Sequence, residues 1–325
     1  MTDSVLGTSR RHERLMTGPD EQHPDSVTEL DEPTGLRVHP VAGRIGAEVV
    51  GVDLGGDLAD DVVAAIGAAL VDHKVLFFRG QHLDPASHVA FARQFGTLTL
   101  GHPTVPALDG HPNVFELDAA KGARANVWHT DVTFVDRPPA SSILNAVTIP
   151  PFGGDTVWAN TDAGYHDLPD HLRSLADRLW ARHSNTSDYG SITTAGSAYT
   201  AAFLSNQFEA RHPVVRVHPV SGRPSLLLGG FARQIEGLSA HESADLIRTF
   251  QTYVTRPENT VRWRWQTGDV AMWDNQSSQH YAIDDYGDQP RRVQRVTLVG
   301  EPVRSLAGVA GESITGDAAA YLTPG

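Results

Sequence analysis

Apolar and polar residues alternate without exception along Val261-Arg262-Trp263-Arg264-Trp265, which predicts a strand with both tryptophans on one face and both arginines on the other. A different pattern marks Lys74-Val75-Leu76-Phe77-Phe78-Arg79, a short apolar run closed by Gly80, which reads as a buried strand. The folded part is expected to begin at Leu36–Pro40, with further strands over 43–52, 128–134, Thr156–Asn160 after the Gly153-Gly154 turn, Pro213–Pro219, Ser225–Leu228 and Arg292–Val299. Gly268-Asp269 has the form of a hairpin turn between Val261–Trp265 and Val270–Trp273, and Asp274–Gln279 reads as loop. Helical spacing is confined to a few places. Asp60 or Asp61 caps a helix bearing Val62, Val63, Ile66, Leu70 and Val71, and Asp84 caps one bearing Val89, Phe91, Ala92 and Phe95. A helical region is expected from about Ala163 to His183, and Ser239 with Glu242 forms a capping box before Leu246, Ile247, Phe250 and Val254.

Many short strands with few helices predict a mainly β fold with helical decoration, a β-sandwich or jelly roll. Residues 1–34 mix Asp, Glu, Ser, Thr, Pro and Gly with few aliphatics and read as a disordered arm. A single domain is expected over 35–303, followed by a tail over 304–325 that packs little from about Leu306. Residues 184–211 are weakly patterned yet carry Tyr189, Tyr199, Phe203 and Phe208, which favours an active-site lid over disorder.

The 325 residues carry a net charge of −13, which argues against nonspecific binding to nucleic acid or to an anionic membrane. An anionic small molecule would need a local site built from a few arginines. Absence of cysteine removes disulfides and thiolate metal sites, and the lack of an apolar leader or span makes the cytoplasm the default compartment. There is no GxSxG elbow, Walker loop, GxGxxG after a strand, or HExxH.

The most informative stretch is Trp128-His129-Thr130-Asp131-Val132-Thr133-Phe134. Read as a strand, it points His129 and Asp131 the same way. An imidazole nitrogen beside a carboxylate oxygen gives two ligands for a divalent metal, and a third would complete one face of an octahedron, as in non-haem Fe(II) oxygenases. A plain His–Asp hydrogen bond is the alternative. With 16 histidines in the chain, spacing alone does not choose the third ligand.

Trp128 to Phe134, Gly153-Gly154-Asp155-Thr156 and His280-Tyr281-Ala282, followed by Arg291 and Arg295, resemble the taurine dioxygenase family of Fe(II)/2-oxoglutarate-dependent oxygenases over roughly residues 36–303. The resemblance implies a double-stranded β-helix (jelly-roll) core, with His129, Asp131 and His280 holding iron. It implies that Thr156 and Arg291 hold the distal carboxylate of 2-oxoglutarate, and that His102 and Arg295 hold a substrate sulfonate or sulfate. Fe(II), 2-oxoglutarate and O2 are the expected cofactor and cosubstrates. Arg suits the carboxylate role because its fork can bind bidentately.

The taurine enzymes carry Asn four residues before the first iron histidine, where this chain has Ala125, which counts against taurine itself. Arg124-Ala125-Asn126, Gly153–Asn160, His212–Pro219, Thr255–Trp265 and Tyr281–Pro290 look most like the alkylsulfatase branch, which oxidises the carbon bearing a sulfate ester. The expected partner is a small anionic molecule with an apolar portion, acted on by a homo-oligomer. A sulfonate, a phosphate monoester such as a nucleotide, a zinc hydrolase with the same three ligands, and a non-catalytic jelly-roll binding module are the alternatives.

Overall fold

The computed structural model describes residues 35–186 and 197–322, together with the backbone of Thr28–Glu29. In chain order the elements begin β1 (Thr28–Glu29), β2 (Arg37–Pro40), β3 (Ala47–Val50), α1 (Asp60–His73), β4 (Val75–Phe78), α2 (Pro85–Arg93), β5 (Phe115–Asp118), β6 (Ser141–Thr148) and β7 (Thr156–Asn160). There follow α3 (Thr161–His166), α4 (Asp170–Ala176), β8 (Trp180–Ser184), α5 (Ala198–Phe203), β9 (Glu209–Pro213), β10 (Val215–Val217), β11 (Pro224–Leu226) and β12 (Ala232–Ile235). The last part contains α6 (Ala240–Val254), β13 (Thr260–Trp263), β14 (Val270–Asp274), β15 (Ser278–Ala282), β16 (Arg292–Thr297), β17 (Glu312–Thr315) and α7 (Ala319–Leu322).

Eight strands form the larger sheet in the order β1-β2-β3-β4-β14-β6-β16-β5, and β13-β7-β15 form a smaller one. Phe77, Leu144, Trp273 and Val293 of the first sheet meet Trp158, Val261 and Trp263 of the second in one buried cluster. Phe77 stacks on Trp263 with ring centroids 4.1 Å apart. Each such buried aromatic contributes roughly 2–3 kcal/mol of burial, so this layer is the main bond between the sheets. The opposite face of the large sheet is covered by α1 and α2 through Ile66, Leu70, Phe91 and Ala92. The fold is the mainly β, jelly-roll type expected, with helices on the outside.

Trp263 and Trp265 are buried while Arg262 and Arg264 are exposed, as their alternation requires. Asp84 accepts from Ser87 N, and Ser239 with Glu242 completes its capping box. Other expectations fail for identifiable reasons. The segments on either side of Gly268-Asp269 do not form a hairpin: β13 pairs with β7, whereas β14 pairs with β4 and β6, so this turn passes between the two sheets. Asp60 and Asp61 do not cap α1 but lie in its first turn after Ala59, where their charges suit the helix dipole.

The helix expected up to His183 ends earlier. Trp180–Ser184 is a strand between β9 and β12, because its apolar side chains face partners that only tertiary pairing supplies. Most of the tail from Leu306 is exposed, as expected of a segment that packs little, yet it is anchored at two points: β17 pairs with β9, and Tyr321, 3% exposed, enters an aromatic cluster with Phe115 and Phe134. The arm over 1–34 lies outside the described residues except for Thr28–Glu29, which pair with β2. Of the stretch 184–211, residues 187–196, including Tyr189, also lie outside them, while α5 and β9 form its remainder.

Candidate metal centre and adjoining cavity

His280 lies on β15, paired across β7 with Trp158. His129 meets it through a reciprocal backbone pair: His129 N donates to His280 O at 3.0 Å, and His280 N to His129 O at 2.8 Å. That pairing brings the two rings to 4.1 Å between centroids. Asp131 Oδ1 stands 3.7 Å from His129 Nε2 and 3.9 Å from His280 Nε2. The three residues are buried, and their ligand atoms all lie within 4.8 Å of one another.

The local conformation is not the strand expected. Only His129 makes a β-bridge, and Asp131–Phe134 form a turn in which Val132 has φ +52°. The β-branched and aromatic residues that suggested a strand are there to pack: Val132 and Phe134 are fully buried. The ligands converge all the same, because the backbone pair of His129 with His280 sets both rings beside the start of the turn that carries Asp131.

The donor set fits a divalent iron. Burial pushes His129 down to about 4 and His280 well below the usual imidazole range, so both rings are neutral and able to ligate. His129 Nδ1 lies 2.6 Å from Val127 O, which directs Nε2 toward the centre. Burial tends to raise the Asp131 carboxyl. Arg295 first, then His280, His129 and the Ser142 hydroxyl outweigh that and hold it at about 2. One imidazole pair and one carboxylate on a single side leave the other side for small oxygen ligands.

A small cavity of about 40 Å³ opens beside these ligands. Its wall includes His129, His280, Trp158 and Trp273, with Thr156 and Arg291 at the same cavity and Arg295 beside them. Arg291, Val293 and Arg295 all face it, whereas Arg292 is exposed, as strand alternation predicts. Arg291 Nε donates to Gly154 O at 3.1 Å, and Thr156 Oγ1 accepts from Trp265 Nε1 at 2.9 Å. Two buried guanidiniums thus give the acidic chain the local positive site that an anion needs.

His102 is not on this cavity's wall. It is buried in the neighbouring aromatic cluster, 5.0 Å from Phe115 and 5.3 Å from Phe203 between ring centroids. Its Nδ1 accepts from Val105 N at 3.1 Å, and its Nε2 has no hydrogen-bond partner among the described residues. Arg295 connects the two regions, its guanidinium lying 5.0 Å over the Phe115 ring. Sequence reasoning missed Ser142, whose Oγ donates to Asp131 Oδ2 at 2.7 Å, and the contact of Trp265 with Thr156. The alternation that sets Trp265 on the face opposite Arg262 and Arg264 is the signal that points to the second.

Comparison with known proteins gives the same reading. The sequence profile of the "Taurine catabolism dioxygenase TauD, TfdA family" matches residues 37–297. An "Alpha-ketoglutarate-dependent sulfate ester dioxygenase" of Pseudomonas putida is 56% identical over 272 residues, covering 82% of this chain and 90% of that protein. An "Alkylsulfatase" of Acinetobacter baylyi is 50% identical over 294 residues, covering 88% and 92%. The crystal structure of a taurine dioxygenase from Burkholderia xenovorans, 38% identical, superposes with a TM-score of 0.75 over 89% of this chain and 100% of that one. The chain belongs to the TauD/TfdA family of 2-oxoglutarate-dependent dioxygenases.

Proposed function

We propose that this enzyme oxidises alkyl sulfates at the carbon bearing the ester, releasing an aldehyde and inorganic sulfate. One observation carries the reading: two buried arginines, Arg291 and Arg295, face the same cavity on one side of a strand, next to His129 and His280. Each of two anions could therefore meet its own guanidinium beside the metal ligands. Arg291 with Thr156 takes the distal carboxylate of 2-oxoglutarate, and Arg295 with His102 takes the substrate's sulfate. The relatives from Pseudomonas and Acinetobacter act on sulfate esters by name, and the same substrate class is proposed here.

His129, Asp131 and His280 would hold Fe(II), which with 2-oxoglutarate and O2 supplies the power to hydroxylate an unactivated C–H bond. The chain's own residues do the rest. Arg295 anchors the sulfate, so that the adjacent CH2 is the group presented to the metal centre. Hydroxylation there gives a hemiacetal-like sulfate, whose C–O bond breaks as the new hydroxyl loses its proton. Succinate and CO2 are the co-products. Ala125 lines the cavity where taurine enzymes have Asn, and it also packs against the aromatic cluster, which suits an alkyl chain better than an amine.

Stretch 184–211 is assigned to closure over that chain, with Phe203 of α5 already against His102. A homo-oligomer in the cytoplasm belongs to the same proposal, and no helix among the described residues is long and apolar enough to cross a membrane. The test is turnover with Fe(II) and 2-oxoglutarate across matched alkyl sulfates, sulfonates and phosphate monoesters, reading succinate. Alkyl sulfates should give the highest kcat/KM. Preference for a sulfonate or a phosphate would reject the sulfate ester, and absence of succinate with all three would reject the dioxygenase chemistry.

A further inference from the structure

The turn that carries Asp131 is held from outside by groups with no part in the chemistry. We propose that Asn275 is a positioning residue for the metal centre, acting through the backbone of Asp131. The proposal rests on reading His129, Asp131 and His280 as the metal ligands.

Val132 follows the ligand directly and sits at φ +52°, a left-handed conformation that a β-branched residue resists. The turn's own closing bond, Val135 N to Val132 O, is long at 3.4 Å. Stronger restraints come from elsewhere. Asn275 Oδ1 accepts from Asp131 N at 2.9 Å, while its Nδ2 donates to Asp131 O at 3.1 Å and to Pro139 O at 3.0 Å. A single carboxamide thus pairs both backbone groups of the ligand residue. It is itself held, since Asn275 N donates to Ala140 O at 3.0 Å and the residue is fully buried.

Position in the chain adds to this. Asn275 lies in the short connection between β14 and β15, five residues before His280. The segment that delivers one ligand therefore grips the backbone of another. On the far side of the turn, His212 Nε2 lies 2.9 Å from both Thr133 O and Val135 O. With two carbonyls as neighbours this nitrogen carries the proton, and the turn is braced from both sides.

Because Asp131 Oδ1 must face two imidazoles at once, a small shift of its backbone separates it from them. Loss of an outer partner of a metal ligand typically weakens metal binding about 10- to 100-fold. The experiment is anaerobic calorimetric titration of the full chain with Fe(II), for the parent, Asn275→Ala and Asn275→Asp, together with thermal unfolding of each metal-free protein. Asn275→Asp keeps the acceptor for Asp131 N but sets an oxygen against Asp131 O and Pro139 O. Folded variants should bind Fe(II) at least about tenfold more weakly than the parent. Unchanged affinity with a lowered melting temperature would show a merely structural role and overturn the proposal. Hydrogen exchange of the metal-free parent gives a check independent of variant folding: the Asp131 amide should be protected before metal is added. Fast exchange that slows only with Fe(II) would also overturn it. A parent that binds no Fe(II) would instead reject the ligand assignment itself.

Discussion

Arg295 donates from Nη1 to Asp131 Oδ1, the same oxygen that faces Nε2 of both His129 and His280. One carboxylate oxygen is therefore the meeting point of a guanidinium and two imidazoles. The arginine proposed to anchor the substrate is joined electrostatically to a proposed metal ligand. Removing it outright would strand a buried charge, which is why the informative change is conservative.

Arg295→Lys keeps a cation beside Asp131 but gives up the planar fork. Fe(II) affinity should stay within a few-fold of the parent, while kcat/KM for an alkyl sulfate falls about 100-fold, equivalent to ~3 kcal/mol of lost anchoring. Steady-state kinetics at saturating 2-oxoglutarate measures this. An unchanged kcat/KM would remove Arg295 from the substrate site.

Gly154 has φ +71°, and a Cβ placed on it would lie 3.0 Å from Arg291 Cδ and Nε. Gly154→Ala should therefore displace the Arg291 side chain and raise the 2-oxoglutarate requirement, with Arg291→Ala raising it further, by about 100-fold. Titration of 2-oxoglutarate at fixed alkyl sulfate distinguishes this from general damage. Because Arg292 is exposed, it offers no substitute, and an unaltered requirement in Arg291→Ala would leave the distal carboxylate without an assigned partner.

His88 of α2 is fully buried, with its ring nitrogen 3.2 Å from Ile143 O. Burial, partly offset by that carbonyl, lowers its pKa to about 4. Below its ordinary value of 6.5 the unfolded chain takes up a proton that the folded chain refuses, so stability is lost as pH falls from 6.5 toward 4. His88→Gln retains a donor near the Ile143 carbonyl and removes this proton. Urea unfolding of the metal-free protein should then show a pH slope smaller by about 1.4 kcal/mol per unit within that window. Identical slopes in parent and variant would contradict it.

Local pattern made parts of this structure legible. Alternation was enough to bury Trp263 and Trp265, and side-chain chemistry was enough to start α2 and α6, because each depends on neighbours within a few residues. It failed where partners are distant. Nothing near Gly268-Asp269 indicates that β13 and β14 belong to different sheets, and nothing near Tyr321 indicates that it reaches the cluster around Phe115. The metal site shows both sides of this. The side chains of His129 and Asp131 are present in the sequence as a pair, but the third ligand was supplied by resemblance to a family. The turn at Val132 looked like a strand, because residues suited to a strand also suit a buried turn whose backbone is held by others.

The central claim is that sulfate leaves because its carbon is oxidised. The most direct measurement is a reaction under ¹⁸O2 with Fe(II), 2-oxoglutarate and a primary alkyl sulfate, following succinate, sulfate and the organic product together. One ¹⁸O in succinate for each sulfate released, with an aldehyde as the organic product, is the expected result. Sulfate released without succinate, accompanied by the alcohol, would mean hydrolysis and would contradict the account.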